Sequence, residues 1–222
     1  MANNEKKSKD SEVKLVGNNL IYSGQINNEG AMLFQEKAYT FLDQYKKCLE
    51  INRNVNDDAN SSVNSGMNSR SDNKTKKETC NIDINQPLSV HITSGGGKVA
   101  QGIAMMNTIE ELNQQIPTKC ISKGFVGSAA TYVAFSCNER CSGSNTQFLL
   151  HPPSKSGVSG QTSDLIMTAE NSKKTYDNIL NIYYRKSKID TSAWEINKVF
   201  NDNSYSSAED MKRMGLIDKI LE

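Results

Sequence analysis

Gly124-Phe125-Val126-Gly127-Ser128-Ala129-Ala130 decides how this chain of 222 residues folds. The run leading into it, Thr118 to Phe125, reads as a strand. The residues after Gly127 are small and open a helix, so the chain passes from strand through glycine turn to helix. The same grammar stands upstream. Leu88-Ser89-Val90-His91-Ile92 alternates as a half-buried strand does, and Ser94-Gly95-Gly96-Gly97 turns it. Val99 to Gln115 then carries Ile103, Met106, Ile109 and Leu112 on one helical face, continued by Ile116, and Pro117 stops it. Downstream, Gln147 to Leu150 reads as a strand ending at His151-Pro152-Pro153. A Gly- and Ser-rich link, Ser154 to Gln161, leads into a long helix from Ser163 to Lys186. Its apolar residues include Leu165, Ile166, Ala169, Tyr176, Ile179, Leu180 and Tyr183. Strand, turn and helix recur, which predicts an α/β chain with parallel crossovers.

The flanks follow the same reading. Val13 to Val16 and Asn19 to Ser23 suggest a short strand and its approach. Asn27, Asn28 and Gly30 mark a turn, and Ala31 to Glu50 has helical spacing at Leu33, Phe34, Ala38, Phe41, Leu42 and Tyr45. At the other end, a helix starts near Ser207 with Asp210 completing a capping-box pattern. Gly215 ends it, and Leu216-Ile217 reads as a last short strand. Asn52 to Thr79 differs from the rest: seven Asn, five Ser and no aromatic residue. Val55, Ala59, Val63 and Met67 recur every fourth position and leave a helix open there. The surrounding residues are poor helix formers, so a disordered insertion is the expectation. The domain plan is a flexible segment over 1–14 and one domain over 15–222, interrupted at about 52–79.

Composition excludes several classes. Net charge is +1, from 26 basic and 25 acidic residues, so there is no electrostatic footprint for nucleic acid or an anionic membrane. No stretch approaches the roughly 20 apolar residues that span a bilayer. Met1 to Lys14 has no apolar core and carries Glu5, Asp10 and Glu12, unlike a secretory signal or a transit peptide. Five cysteines, none in C-x-x-C spacing, and only two histidines argue against zinc. Cys137 and Cys141 are read as plain thiols, and the chain as belonging to a reducing interior compartment.

Three features can do chemistry. The glycine turn at 95–97 presents unpaired N–H groups that could hold phosphate or a forming oxyanion. It matches neither the Walker A nor the dinucleotide spacing, and a tight strand-to-helix turn would explain it equally. Ser128 could be a helix N-cap or a nucleophile, with the Ala129 N–H aimed where an oxyanion would form. His151, at a strand end and fixed by two prolines, could be packing or the base that takes the serine proton. His91 lies inside a strand and is read as structural.

Taken together, these motifs resemble the Clp serine-peptidase (ClpP) family from Pro87 to Glu222. The family's S-P-G-G turn resembles Ser94-Gly95-Gly96-Gly97. Its G-x-A-A-S-M-G resembles Gly124 to Ala130, and its M-I-H-Q-P resembles Leu149-Leu150-His151-Pro152-Pro153. Its G-Q-A-[TS]-D handle segment resembles Gly160-Gln161-Thr162-Ser163-Asp164. Its closing S-A-x-E-A-x-x-Y-G-L-[IV]-D resembles Ser207-Ala208-Glu209-Asp210 through Met214 to Asp218. Leu20 to Ile26 resembles the family's V-I-F-L-[TG]-G-[EQ]-[VI].

The resemblance implies an α/β fold of the crotonase-like kind, with repeated ββα units and a protruding handle helix. It implies seven-membered rings, homomeric or mixed, that pair through the handle. It implies a polypeptide substrate delivered by an AAA+ unfoldase, no cofactor or metal, no nucleic-acid or membrane partner, and a cytoplasmic or organelle-interior setting. Ser128 would be nucleophile and His151 base, with the N–H groups of Gly97 and Ala129 as oxyanion hole. The family's third triad residue is Asp, four before the S-A pair. Here that position is Asn203, with Asp202 beside it. A weakened peptidase, or an inactive ring subunit beside an active paralogue, would both follow. An acyl-CoA hydratase or isomerase of the same fold is a further reading, but leaves Ser128 and His151 unexplained. A membrane-bound Ser-Lys peptidase using Lys98 or Lys123 lacks its membrane segment.

Overall fold

The computed structural model describes residues 11–64, 80–188 and 193–222. Strands β1 (Ser11–Val16) and β2 (Asn19–Gly24) form an antiparallel hairpin. Helix α1 (Asn28–Asn64) follows. The Asn27 side chain accepts the Gly30 N–H at 2.8 Å, which caps the helix start. Ala31, Phe34, Ala38, Phe41 and Cys48 are buried along it, the three- and four-residue spacing of one helical face. Then come β3 (Leu88–Ser94), α2 (Val99–Leu112), β4 (Thr118–Gly127) and α3 (Ala129–Ala134). They are followed by β5 (Glu139–Gly143), β6 (Gln147–Leu149), α4 (Thr162–Lys186) and α5 (Ala193–Asp202). The chain closes with β7 (Tyr205–Ser206), α6 (Ala208–Arg213) and β8 (Lys219–Leu221).

The sheet runs β1-β2-β3-β4-β5-β8, and every pairing from β2 to β8 is parallel. That bears out the α/β reading with crossover helices. What positions the site is a fork in β4. Its first half, Lys119 to Ser122, pairs with β5, and its last three residues, Phe125 to Gly127, pair with β6. The pairing with β3 slips between Ile92 and Ser94, and Gly124 sits in the irregular stretch with φ 64°. A bulge of this kind bends a strand and increases its local twist, which lets β4 serve two neighbours.

Order begins earlier than expected: β1 starts at Ser11, so Ser11 to Lys14 belong to the sheet and not to a flexible segment. Residues 1–10 lie outside the described residues. Helix α1 runs on to Asn64, so 52–64 is helical and the expected disorder fails there. The remainder of that insertion, 65–79, lies outside the described residues. The last strand is Lys219–Leu221, two residues beyond the expected pair. Leu216 and Ile217 are instead buried in the turn before it. Strands β5 and β7 and helix α5 were not foreseen from the sequence.

The cysteines also differ from expectation. Cys48 pairs with Cys80 and Cys120 with Cys137, while Cys141 is free and buried. Cys137 is therefore not a plain thiol, and both pairs are bonds that a reducing interior would keep open. No helix among the described residues is long and apolar enough to cross a membrane.

One buried ion pair closes the C-terminal end. Arg140 is 2% exposed. It donates from Nε and a terminal nitrogen to the two Asp218 carboxylate oxygens, at 3.1 and 2.8 Å. Its backbone N–H reaches Asp218 at 2.8 Å, and the Asp218 N–H returns to the Arg140 carbonyl at 2.7 Å. Burial pushes the Asp218 carboxyl up, but the bonds from Arg140 and Lys188 outweigh it and hold it well below the usual range. Such a carboxylate stabilises the fold fully above its unfolded value of about 3.9, and that stability is lost as pH falls from there toward the depressed folded value. Asp218→Ala strands a buried guanidinium and is expected to cost about 3–5 kcal/mol in urea unfolding at pH 7. The variant's stability should also decline less than the parent's as pH falls below about 4.

Candidate active site

Among the described residues, only two non-glycine residues have positive φ: Ser128 at 52° and Asn203 at 51°. Such conformations persist only where the surroundings over-determine them, and they gather at functional sites. Both are residues the sequence had singled out.

Ser128 occupies the sharp turn between β4 and α3, with φ 52° and ψ −130°, and its hydroxyl makes no capping bond. The N-cap explanation for this serine therefore fails. Its backbone is pinned from both sides. The Ser128 N–H donates to the Leu149 carbonyl on β6 at 2.7 Å, and its own carbonyl accepts from the Thr131 N–H at 3.0 Å. Those bonds hold a half-buried serine between buried Gly127 and Ala129.

His151 follows β6 and is half-buried. The fork in β4 sets it beside the serine. In the parallel pair, Gly127 stands opposite Leu149, so Ser128 and His151 emerge from neighbouring strand ends, one and two residues past the last pair. His91 behaves as a structural residue. It lies in β3 beside Asn19, with its Nε2 2.9 Å from the Asn19 side-chain oxygen, and burial with the nearby Lys123 holds its pKa down.

Asn203 lies just before β7, the strand that pairs with β6. The antiparallel ladder pairs Phe148 with Ser206 and Leu149 with Tyr205. The pairing ends at Tyr205, and Asn203, with φ 51°, lies two residues before it in the turn that leads into β7. Asp202 is the last residue of α5 and falls one position further. Both residues stand within three positions of the start of β7. Among the described residues, no side-chain hydrogen bond joins Ser128, His151 and Asn203.

The glycine turn packs directly on the serine. A Cβ at Gly96, where φ is 94°, would lie 2.6 Å from the Ser128 Cβ and 2.9 Å from the Ala129 nitrogen. Only glycine allows that approach. Gly97 is held against Ile26: the Ile26 N–H donates to the Gly96 carbonyl at 2.8 Å, and the Lys98 N–H to the Ile26 carbonyl at 2.9 Å. That parallel bridge turns the Gly97 N–H the other way. Among the described residues, neither the Gly97 N–H nor the Ala129 N–H has an acceptor. Two free donors beside an unbonded serine hydroxyl are the parts of an oxyanion hole.

Phe125 was missed by the sequence reading. Its ring lies under both turns, 3.6 Å from a Cβ placed at Gly95 and 2.9 Å from one placed at Gly127, and it meets the Tyr205 ring with centroids 5.7 Å apart. It links the glycine turn, the serine turn and the strand after Asn203. An aromatic between two glycines is the only signal in the sequence that could have marked it. Beyond His151, an open cleft of about 210 Å³ lies between Pro153-Ser154-Lys155 and the Asn171, Ser172 and Thr175 face of α4. The outer half of α4 stands away from the body. Leu165, Ile166 and Met167 are 41%, 55% and 57% exposed, whereas Ile179, Ile182 and Tyr183 are buried. Asp164 accepts the Gln161 N–H at 3.3 Å, which explains the G-Q-x-x-D spacing as a helix start. A model of the Clp protease family matches residues 39–222.

Proposed function

Because the chain belongs to the Clp protease family, a family of ring-forming peptidases that work with AAA+ partners, we propose that it is a serine-type endopeptidase subunit of such a ring. Its substrates are unfolded polypeptides delivered by an AAA+ unfoldase. The observation that carries the proposal is the Ser128 turn: an unbonded hydroxyl on a strained backbone, beside His151, with two free N–H groups at hand.

In this reading Ser128 Oγ attacks the peptide carbonyl, and the C=O electrons move onto oxygen. His151 takes the serine proton as the bond forms, then gives it to the leaving amine. The N–H groups of Gly97 and Ala129 hold the oxyanion. Water, activated by the same histidine, releases the acyl group. Asn203 accepts the second imidazole N–H through its amide oxygen. The projecting half of α4, with its three exposed apolar residues, is the handle on which a second ring closes. The chamber so formed admits unfolded chains and excludes folded ones.

A fluorophosphonate probe followed by peptide mapping tests this. Modification of Ser128, abolished in His151→Ala, is the expected result. No modification of Ser128, alone or in mixed rings, would sink the peptidase reading and leave a structural subunit. That second reading is favoured by one observation, the amide at Asn203 where the family has a carboxylate.

Gly96→Ala probes the oxyanion hole. The added methyl meets Ser128 and the Ala129 nitrogen, so the two turns must part and the donors separate. We expect kcat for a fluorogenic peptide to fall by about 10²–10³, the loss typical of a displaced oxyanion donor, with KM changing far less.

A further inference from the structure

Behind the Ser128 turn runs a short buried chain of hydroxyl groups that the catalytic assignment does not use. Thr131 Oγ1 donates to the Ser128 carbonyl at 2.6 Å. The Tyr183 hydroxyl lies 2.8 Å from the same Thr131 oxygen. The carbonyl can only accept, so Thr131 spends its one hydroxyl proton there and its oxygen is free to accept from Tyr183. Both residues are fully buried. Burial raises the Tyr183 pKa well above its ordinary value, which keeps that donor protonated. Tyr183 cannot easily turn away: its ring meets those of Tyr132, Phe135 and Phe200, with centroids 5.9, 6.4 and 5.7 Å distant.

The target of this chain is the peptide unit that joins Ser128 to Ala129. That unit is planar and trans, so its C=O and N–H point in opposite directions. Whatever fixes the Ser128 carbonyl also aims the Ala129 N–H. The backbone here has φ 52°, a sparsely populated conformation that needs external support. Hydrogen bonding to the carbonyl also polarises the amide and strengthens its N–H as a donor.

We propose that Thr131 and Tyr183 are positioning residues for the oxyanion hole: a Tyr183–Thr131–Ser128 hydrogen-bond chain, anchored on α4, that aims the Ala129 N–H. The inference rests on the peptidase reading of Ser128. Neither residue touches substrate; both act through the Ser128 carbonyl.

The test compares Thr131→Val, Tyr183→Phe, the double variant and Thr131→Ser in the full-length protein. Thr131→Val should lower kcat about five- to tenfold and Tyr183→Phe about threefold, as loss of a buried hydrogen bond implies. KM should stay near that of the parent. The affinity of a peptide boronate, whose tetrahedral adduct occupies the oxyanion hole, should weaken in step with kcat. The double variant should lose no more than Thr131→Val alone, because the two act in series. Thr131→Ser, which keeps the hydroxyl, should restore the rate. Parental kcat in both single variants overturns the proposal. So does a loss that follows the thermal midpoint while boronate affinity is unchanged. If Ser128 of the parent protein proves unreactive, the peptidase reading fails separately, and hydrogen exchange of the Gly127–Thr131 amides decides the structural half. Faster exchange in Thr131→Val and Tyr183→Phe, reversed in Thr131→Ser, upholds the chain; unchanged exchange removes it.

Discussion

Ser128→Ala is expected to abolish fluorophosphonate modification and to lower peptide hydrolysis by about 10⁴–10⁶, with the thermal midpoint unchanged or slightly raised. The asymmetry follows from the geometry. The serine hydroxyl makes no capping bond, so removing it takes no contact from the fold. The backbone bonds to Leu149 and Thr131 do not depend on the side chain. A functional group held without structural reward is where activity and stability trade against each other. On the proposed mechanism His151→Ala should give a loss of the same order, and the double variant should be no worse than either single one, because a nucleophile and its base act as a unit. A residual rate above the uncatalysed reaction should survive in all three, owed to the Gly97 and Ala129 donors. Additive losses, or a large fall in stability for Ser128→Ala, would contradict this account.

How much of this was legible in the sequence differs by element. The strand–glycine–helix units at 88–115 and 118–130 could be read because local signals and tertiary role coincide. Alternation marks the strand, glycine marks a turn that no other residue permits, and helical spacing marks the buried face. The start of α6 could be read for the same reason, since Ser207 and Asp210 satisfy each other within one turn. Strand β7 could not: two residues, Tyr205 and Ser206, become a strand only because β6 offers an edge. Strand β5 is similar. Glu139-Arg140-Cys141 lacks an apolar run, and it is extended because it fills the space between β4 and β8. Helix α1 outran its expected end at Glu50. Val55, Ala59 and Val63 hinted at continuation, but the Asn and Ser around them argued the other way.

The site shows the same division. Ser128, His151, Gly97 and Ala129 stand at element ends, where sequence pattern fixes position. The residues that hold them do not. Phe125, Thr131 and Tyr183 act through contacts between separate elements, and nothing in their local sequence announces a partner. The fork in β4, which brings Ser128 and His151 to neighbouring strand ends, has only Gly124 as its trace in the sequence.

Asn203→Asp is expected to raise kcat by about 10²–10⁴, the converse of the loss when a triad carboxylate becomes an amide. Two features must be weighed. Asn203 has φ 51°, and asparagine is among the few side chains that accept that conformation readily. The residue therefore has a backbone reason to be Asn, independent of chemistry. Aspartate tolerates the same region, so the substitution should leave the turn intact and the unfolding midpoint nearly unchanged. Against that small backbone change stands an electrostatic one. A carboxylate opposite His151 fixes the productive tautomer and stabilises the imidazolium that forms as Ser128 loses its proton; an amide oxygen supplies only the first of these in part. Asp202→Asn is the companion measurement. If the β6–β7 register holds past Tyr205, Asp202 faces away from His151 and its replacement changes little. The opposite pair of results, an inert Asn203→Asp and a crippled Asp202→Asn, would mean that the chain slips by one residue after α5 and that Asp202 serves the histidine. An Asn203→Asp variant that gains activity where the parent has almost none would identify the native chain as a ring subunit held short of full catalysis by one amide.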